Sequence, residues 1–280
     1  MGSVRIVFTG ISASDYFGLG LLQAVEEECR IRNFDTLFSQ ISQGYEGKRD
    51  YQQLVANADA LLVCGSADEY TLNQIKGSGR PFVLIGDVRD VSIDITDVDI
   101  VGHDERGRAY LSTKHLLDLG HRHIMIVIPG LNNQFGRDLL AGYQQAMADA
   151  GAEVTNEMII EDDSFMNGGQ RVGSRILKRR QRPTAVLVWD DRMAVSMIRR
   201  LREKGVSVPN DISVVGRGNM EIGQLIEPPL TTSPLLYAQQ AKLACEKLMA
   251  QLSGKHQQRQ RTLVPVRQMI IRKSTAPCKH

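Results

Sequence analysis

Residues 182–233 read RPTAVLVWDDRMAVSMIRRLREKGVSVPNDISVVGRGNMEIGQLIEPPLTTS. Pro183 punctuates a loop, and Ala185–Trp189 is a short apolar run rich in β-branched residues, the pattern of a buried strand. Asp190 and Asp191 end that strand, and Asp191 is placed to cap the helix that follows. The helix carries Met193, Ala194, Met197, Ile198 and Leu201 on one stripe, with Arg199, Arg200, Arg202 and Lys204 largely on the other. Gly205 stops it, Pro209-Asn210-Asp211 turns the chain, and Ile212–Val215 forms the next buried strand, ending in Gly216. Strand, crossover helix and strand make a right-handed parallel unit. Ligands of such sheets sit off the carboxyl ends of the strands, so Trp189, Asp190, Arg217 and Asn219 are the first candidate binding residues.

The same alternation extends both ways. Val4–Phe8, Thr36–Ile41, Ala60–Cys64 and Phe82–Ile85 read as strands. Between them lie a helix bearing Phe17, Leu21, Leu22, Val25 and Cys29, a second around Tyr51–Ala56 and a third near Glu69–Ile75. After an irregular acidic stretch, Asp87–Asp99, a second series begins. It has helices at Arg106–Leu119, Gly136–Ala150 and Gly168–Leu177, and strands at Ile124–Ile128 and Met158–Ile160. Beyond Pro228-Pro229 come a helix, Leu236–Leu252, and strands near Thr262–Val266 and Met269–Arg272. This is an α/β chain of two doubly wound parallel-sheet lobes. Its 280 residues are long for one such layer and comfortable for two of about 130 each.

Hydrophobic content of 42% and charged content of 24% are ordinary for a globular protein. A formal net charge of +2 lacks the basic footprint of an autonomous nucleic-acid binder. No apolar run reaches the length of a membrane span, and MGSVRIVF does not read as a signal peptide. The four cysteines (Cys29, Cys64, Cys245, Cys278) show no C-x-x-C or Cys/His pairing, so they read as reduced thiols, with no metal site. Neither a G-x-S-x-G, a P-loop nor a nucleophile pairing is present, so no catalytic residue and no cofactor is assigned. Gly18-Leu19-Gly20 gives part of a dinucleotide fingerprint, but Gln23 replaces its last glycine. Lys178–Arg182 is basic but ends a helix, where cations suit the dipole.

Several blocks carry a family resemblance. P-T-A-V-L-V, the Asp pair, V-P-N-D-I-S-V-V-G and P-P-L-T-T stand in order. HLLDLGHRHIMIVIPG (His115–Gly130), AGYQQAM (Ala141–Met147) and VRQMIIRKSTAP (Val266–Pro277) join them. Together, from about Val4 to Pro277, they resemble the LacI/GalR transcription regulators. The resemblance implies a periplasmic-binding-protein-like pair of lobes. The first comprises residues 4–101 with 233–256, the second 102–232 with 257–275, joined by a multi-crossing hinge. It also implies that Leu236–Leu252 returns to the first lobe and that the two strands after it finish in the second.

The remaining candidates follow the strand ends. Ser14-Asp15-Tyr16-Phe17 closes the first strand, where the family places aromatics over its effector; Phe17 equally suits the first core position of its helix. Ser66 and Asp87 follow two further strands, as ligand contacts or as turn formers. Asn132, Asn133 and Arg137 offer amide and guanidinium donors at a helix start, suited to hydroxyl-rich or anionic ligands. Phe165 and Trp189 are flat surfaces on which a ligand could stack, and Trp189 equally suits the core. His115, His121 and His123 read as structural links between a helix and a strand.

Three departures bear on the ligand. Many sugar-binding members carry an arginine where this chain has Leu139, and the family usually carries an aspartate where it has Gly218. Asp190 stands where the family commonly has Asn. The ligand set is therefore Asp15, Tyr16, Phe17, Ser66, Asp87, Asn133, Arg137, Phe165, Trp189, Asp190 and Asn219, with pocket polarity changed from a common sugar site. The resemblance implies a cytoplasmic homodimeric core that binds a small-molecule effector (a sugar, a sugar derivative or a nucleoside-like compound) in an interlobe cleft. Hinge closure would then alter operator binding through a helix-turn-helix headpiece lying outside this chain. No membrane partner is implied. The rival is a periplasmic-type solute-binding protein for a sugar or nucleoside.

Overall fold

The computed structural model describes residues 2–11, 16–41, 57–255 and 258–279. Asp15, the Tyr16 side chain and the helix expected around Tyr51–Ala56 lie outside the described residues. The chain forms two units. One comprises Met1–His103 with Leu236–Val264, the other Asp104–Leu235 with Pro265–His280.

The first unit opens with β1 (Gly2–Thr9), α1 (Tyr16–Ile31), β2 (Phe34–Ile41), β3 (Ala60–Ala67), α2 (Glu69–Gly77), β4 (Phe82–Val88) and β5 (Ile100–His103). The alternation of side chains along each strand supplies two faces. Val4, Ile6 and Phe8 of β1, with Leu62 and Cys64 of β3, pack with Leu21, Val25 and Cys29 of α1. Val7, Leu61 and Val63 point into a second core with Leu72 and Ile75 of α2. Covering both faces is what makes these strands read as continuous apolar runs.

The second unit is built from α3 (Glu105–Asp118), β6 (Ile124–Ile128), α4 (Gln134–Asp149), β7 (Ile159–Glu161), α5 (Phe165–Leu177), β8 (Ala185–Val188), α6 (Asp191–Arg202), β9 (Ser213–Gly218), the short α7 (Glu221–Leu225) and β10 (Thr231–Pro234). Its sheet has five parallel strands in the order β10-β9-β8-β6-β7. All five residues of β6 are buried, and Tyr143 of α4 donates its hydroxyl to the Ile124 carbonyl at 2.8 Å. Helices α5 and α6 approach closely because Gly169 has no side chain: a Cβ there would stand 2.3 Å from the Met193 carbonyl oxygen.

The chain then returns to the first unit with α8 (Tyr237–Leu252) and β11 (Arg261–Val264), completing a six-stranded sheet of order β11-β5-β4-β3-β1-β2. This corrects the expected placement of Arg261–Val264 in the second lobe. Arg261 to Val264 pair in parallel with Ile100 to His103, Val264 is buried in the first unit's core, and Arg261 forms an ion pair with Asp87. Met269–Arg272 is not a full strand either. It makes one antiparallel bridge, Ile270 with Thr232, because the Arg272 N–H turns instead to the Thr231 hydroxyl at 2.9 Å.

His121 anchors the tail to the second unit. Its Nδ1 lies 3.0 Å from Thr184 Oγ1, and its Nε2 lies 3.1 Å from Ser213 Oγ and 3.0 Å from the Ala276 carbonyl. His115 meets Thr275 Oγ1 at 3.1 Å. Burial holds both imidazoles below their ordinary pKa, in keeping with neutral linkers between α3, the strand starts and the tail.

Candidate functional site

Because β6, β8 and β9 run parallel, the loops after them emerge at one edge of the second unit, where open α/β sheets receive ligands. Three rings gather there. Phe135 is the second residue of α4, Phe165 opens α5, and Trp189 directly follows β8. The Trp189 ring meets Phe135 edge-on at 6.1 Å between centroids and Phe165 in a tilted contact at 5.2 Å. Trp189 is largely buried, its Nε1 donating to the Asp162 carbonyl at 2.9 Å, whereas Phe165 remains 38% exposed.

Two guanidinium groups lie against these rings. The Arg192 guanidinium carbon stands 3.6 Å from the Phe165 ring centre, and that of Arg217 stands 4.7 Å from Phe135. Each is fixed by a carboxylate. Arg192 presents Nε and Nη2 to Asp190 at 3.2 and 3.1 Å, and Arg217 presents Nε and Nη2 to Glu105 at 3.0 and 2.5 Å. The edge is thus a patch of aromatic faces and oriented cations, suited to a planar or apolar ligand body bearing polar groups.

The sequence-derived candidates fall into two groups. Phe165 and Trp189 meet in the ring cluster. Asp190 is fully buried and acts within the chain: it, not Asp191, caps α6, accepting from the N–H groups of Arg192 at 2.8 Å and Met193 at 3.2 Å. Its contribution to the edge is to orient Arg192. Asn133 caps α4 by accepting from Gly136 N–H at 2.9 Å, and Arg137 Nε turns back to the Leu131 carbonyl at 2.8 Å. Asn219, held at φ +56°, accepts from Arg272 Nη2 at 2.6 Å. Asp190, Asn133, Arg137 and Asn219 therefore shape the loops from within.

On the first unit, Ser66 and Asp87 are register partners at the carboxyl ends of β3 and β4. Asp87 accepts from its neighbour Val88 N–H at 2.9 Å and from Arg261. Phe17 is half-buried on α1. These three stand at the corresponding edge of their own sheet, and Tyr16 opens α1.

Local reading missed Phe135, Arg192, Glu105 and Arg108, and it named Arg217 as a candidate without its buried partners. Glu105, Arg108 and Arg217 are all nearly inaccessible. Arg108 Nε lies 3.0 Å from Glu105 Oε2, its Nη1 donates to the Pro234 carbonyl, and burial brings its pKa down to about 10. Asp191, beside them, accepts from Met220 N–H at 2.8 Å and Thr232 Oγ1 at 2.7 Å, tying α6 to the ends of β9 and β10. Gly216 makes room for it, since a Cβ there would stand 2.1 Å from Asp191 Oδ1. Burial raises the Asp191 carboxyl to about 6. Among the described residues, no cluster of His, Cys, Asp or Glu could hold a metal ion, and no helix is long and apolar enough to cross a membrane.

Residues 113–275 match the model of the periplasmic binding protein-like domain. The HTH-type transcriptional repressor PurR of Photobacterium profundum is 30% identical over 258 residues, covering 91% of this chain and 76% of that protein. The chain belongs to the LacI/GalR family. Solved members share its fold. The transcriptional regulator CelR in complex with cellobiose superposes with a TM-score of 0.86 at 23% identity, covering 97% of this chain and 84% of CelR. CcpA of Lactococcus lactis superposes with a TM-score of 0.85 at 23% identity, covering 98% and 100%. LacI/GalR proteins are transcription regulators rather than enzymes, which accords with a site built of stacked rings and internally paired charges.

Proposed function

We propose that this chain is the effector-binding and dimerisation core of a cytoplasmic transcription regulator. Its effector is a small metabolite held against the carboxyl edge of the second unit's sheet. The observation that carries this reading is the Phe135–Trp189–Phe165 cluster, with Arg192 and Arg217 fixed against it by buried carboxylates. Regulators of the same fold have been seen with cellobiose and with ribose, and the lac repressor as a dimer on its operator, which supports a small-molecule effector and a homodimer here. Operator contact falls to a helix-turn-helix segment of the kind for which the PurR relatives are named. The effector acts by binding one conformation more tightly than the other, so its differential affinity sets the switch. Phe17, Ser66 and Asp87 are proposed contacts from the first unit's own edge.

A thermal-shift screen of the purified chain tests this. The panel comprises sugars, sugar phosphates, polyols, nucleosides, purines and small carboxylates. A true effector at a hundredfold excess over its Kd stabilises the native state by about 2.7 kcal/mol, a readily visible rise in midpoint. The rise is expected to be lost in Phe165→Ala, which removes an exposed ring without opening the core. A saturating panel with no shift, or a shift untouched by Phe165→Ala, would count against the rim as the effector site.

A further inference from the structure

The second unit carries a groove of about 800 Å³ lined by Glu157, Arg175, Lys178, Arg179, Arg180 and Gln181. It lies at the amino edge of the sheet. The single 3-10 turn Asn156–Met158 leads directly into β7, and the chain passes from α5 to β8 through residues 178–184. Because β7 and β8 both run parallel to β6, this is the edge opposite the aromatic rim. Arg179 donates from Nη2 to the Glu157 carbonyl at 2.5 Å, and its Nη1 stands 3.6 Å from Glu157 Oε2. That carboxylate is 86% exposed, so solvent screens most of its charge. Arg175, Lys178 and Arg180 are exposed and make no hydrogen bond or ion pair among the described residues. Elsewhere on this unit Arg122, Arg171, Arg192, Arg200 and Arg202 each donate to an acceptor within the chain. Helix stability accounts for part of the charge, since Arg175 in the last turn of α5 and Lys178 at its end suit the negative pole of the dipole. That effect fades within one turn, and Arg179 and Arg180 lie beyond the cap. Spacing works against the cluster: Arg175 precedes Lys178 by three residues and Arg179 by four, separations at which like charges on a helix repel.

We propose that this groove binds a compact anion of several negative charges, a polyphosphate or a polycarboxylate. Four cations face it against one screened carboxylate, so an anion relieves a repulsion that the chain itself leaves standing. The lining has no ring and no aliphatic side chain, so nothing in it reads a base or an apolar body. What it selects is negative charge and acceptor oxygens. Guanidinium forks pair bidentately with carboxylate and phosphoryl groups, and the lysine adds a mobile point charge. A singly charged anion would leave most of the cations unpaired. The volume falls within the roughly 300–1,000 Å³ of small-ligand sites. The cations converge on it from one helix end and the loop that follows, which favours a compact ligand over an extended acidic chain. This site is separate from the aromatic rim and does not rest on the effector reading.

The test is a calorimetric titration of the whole chain at low salt with tripolyphosphate, ATP, citrate and acetate. Tripolyphosphate or citrate is expected to bind at least tenfold more tightly than acetate, and to weaken as salt rises. ATP matching tripolyphosphate, with citrate weaker, names the polyphosphate source; citrate binding tightest names the polycarboxylate. The double variant Lys178→Gln/Arg180→Gln is expected to weaken the preferred anion more than tenfold. Neither side chain makes a hydrogen bond or ion pair with a described residue, so the variant should keep the parent's unliganded melting midpoint. Phe165→Ala is expected to leave this binding unchanged, which separates the groove from the rim. Compact polyanions binding no more tightly than acetate, or equally well to the double variant, overturn the proposal. A polyanion lost in Phe165→Ala but kept in the double variant sits at the rim and overturns it too. So does binding of a polyglutamate peptide or of duplex DNA where neither compact anion binds, since the surface would then dock an extended partner. Each of these outcomes at the groove leaves the effector reading to its own test.

Discussion

Glu105→Gln is expected to lower the stability of the second unit by about 3–5 kcal/mol, the range seen when one partner of a buried ion pair is removed. Glu105 is the carboxylate between two buried guanidiniums. It meets Arg217 through both oxygens and Arg108 at 3.0 Å, and none of the three side chains is more than a tenth exposed. Removing its charge leaves two cations facing each other in a medium that screens them poorly. Exposed pairs such as Lys114–Asp118, open to solvent on both sides, contribute about 1 kcal/mol or less. Urea unfolding followed by the emission of Trp189, the chain's one tryptophan, reads this unit directly. Because the pair is buried, raising the salt concentration should not reproduce the loss in the unaltered protein. A change below about 1 kcal/mol would mean that the guanidiniums are solvated and the cluster is not a buried anchor.

Asp191→Ala is the second large effect, at about 3 kcal/mol or more, since it leaves the Met220 N–H and the Thr232 hydroxyl buried without an acceptor. Its pH dependence has a definite sign. Burial raises the folded carboxyl from 3.8 to about 6, so between those values the native state binds more protons than the unfolded chain. Stability from this group therefore rises as pH falls through 6 and levels off below about 4. Above pH 6 the charged carboxylate costs the fold up to about 3 kcal/mol relative to acid, at about 1.4 kcal/mol per pKa unit. Asp191→Asn removes the titration. The stability difference between parent and variant should move in the parent's favour from pH 7 to pH 5. A difference that is flat across that range would show that Asp191 keeps an ordinary pKa.

Why the sheets were legible while the site was only partly so has a physical basis. A parallel strand buried on both faces must be apolar at every position, so stretches such as Ile124–Ile128 and Ala185–Val188 identify themselves. β11 did not: RTLV is short, partly exposed and beside a proline, and its membership is decided by an edge offered by Ile100–His103 far away in sequence. The adjacent aspartates 190 and 191 are equivalent to local pattern reading, since either can cap a helix. What separates them is Met220 and Thr232, which claim Asp191 from β9 and β10. Glu105 and Arg217 lie 112 residues apart, and no local rule pairs them. Phe135 carried a usable signal, an aromatic two positions beyond the capping Asn133 at a strand's carboxyl end. Arg192 carried one too, as a cation beside two carboxylates.

The most direct test of the central claim, that the second unit's aromatic rim receives the effector, is a fluorescence titration. Trp189 lies in contact with Phe135 and Phe165, so any ligand seated there changes its surroundings. The expected result is a saturable change in Trp189 emission. Its half-point should match the concentration dependence of the thermal shift and move to higher concentration in Phe165→Ala. A ligand that stabilises the chain at saturation while leaving Trp189 emission unchanged would place the effector elsewhere and contradict the account.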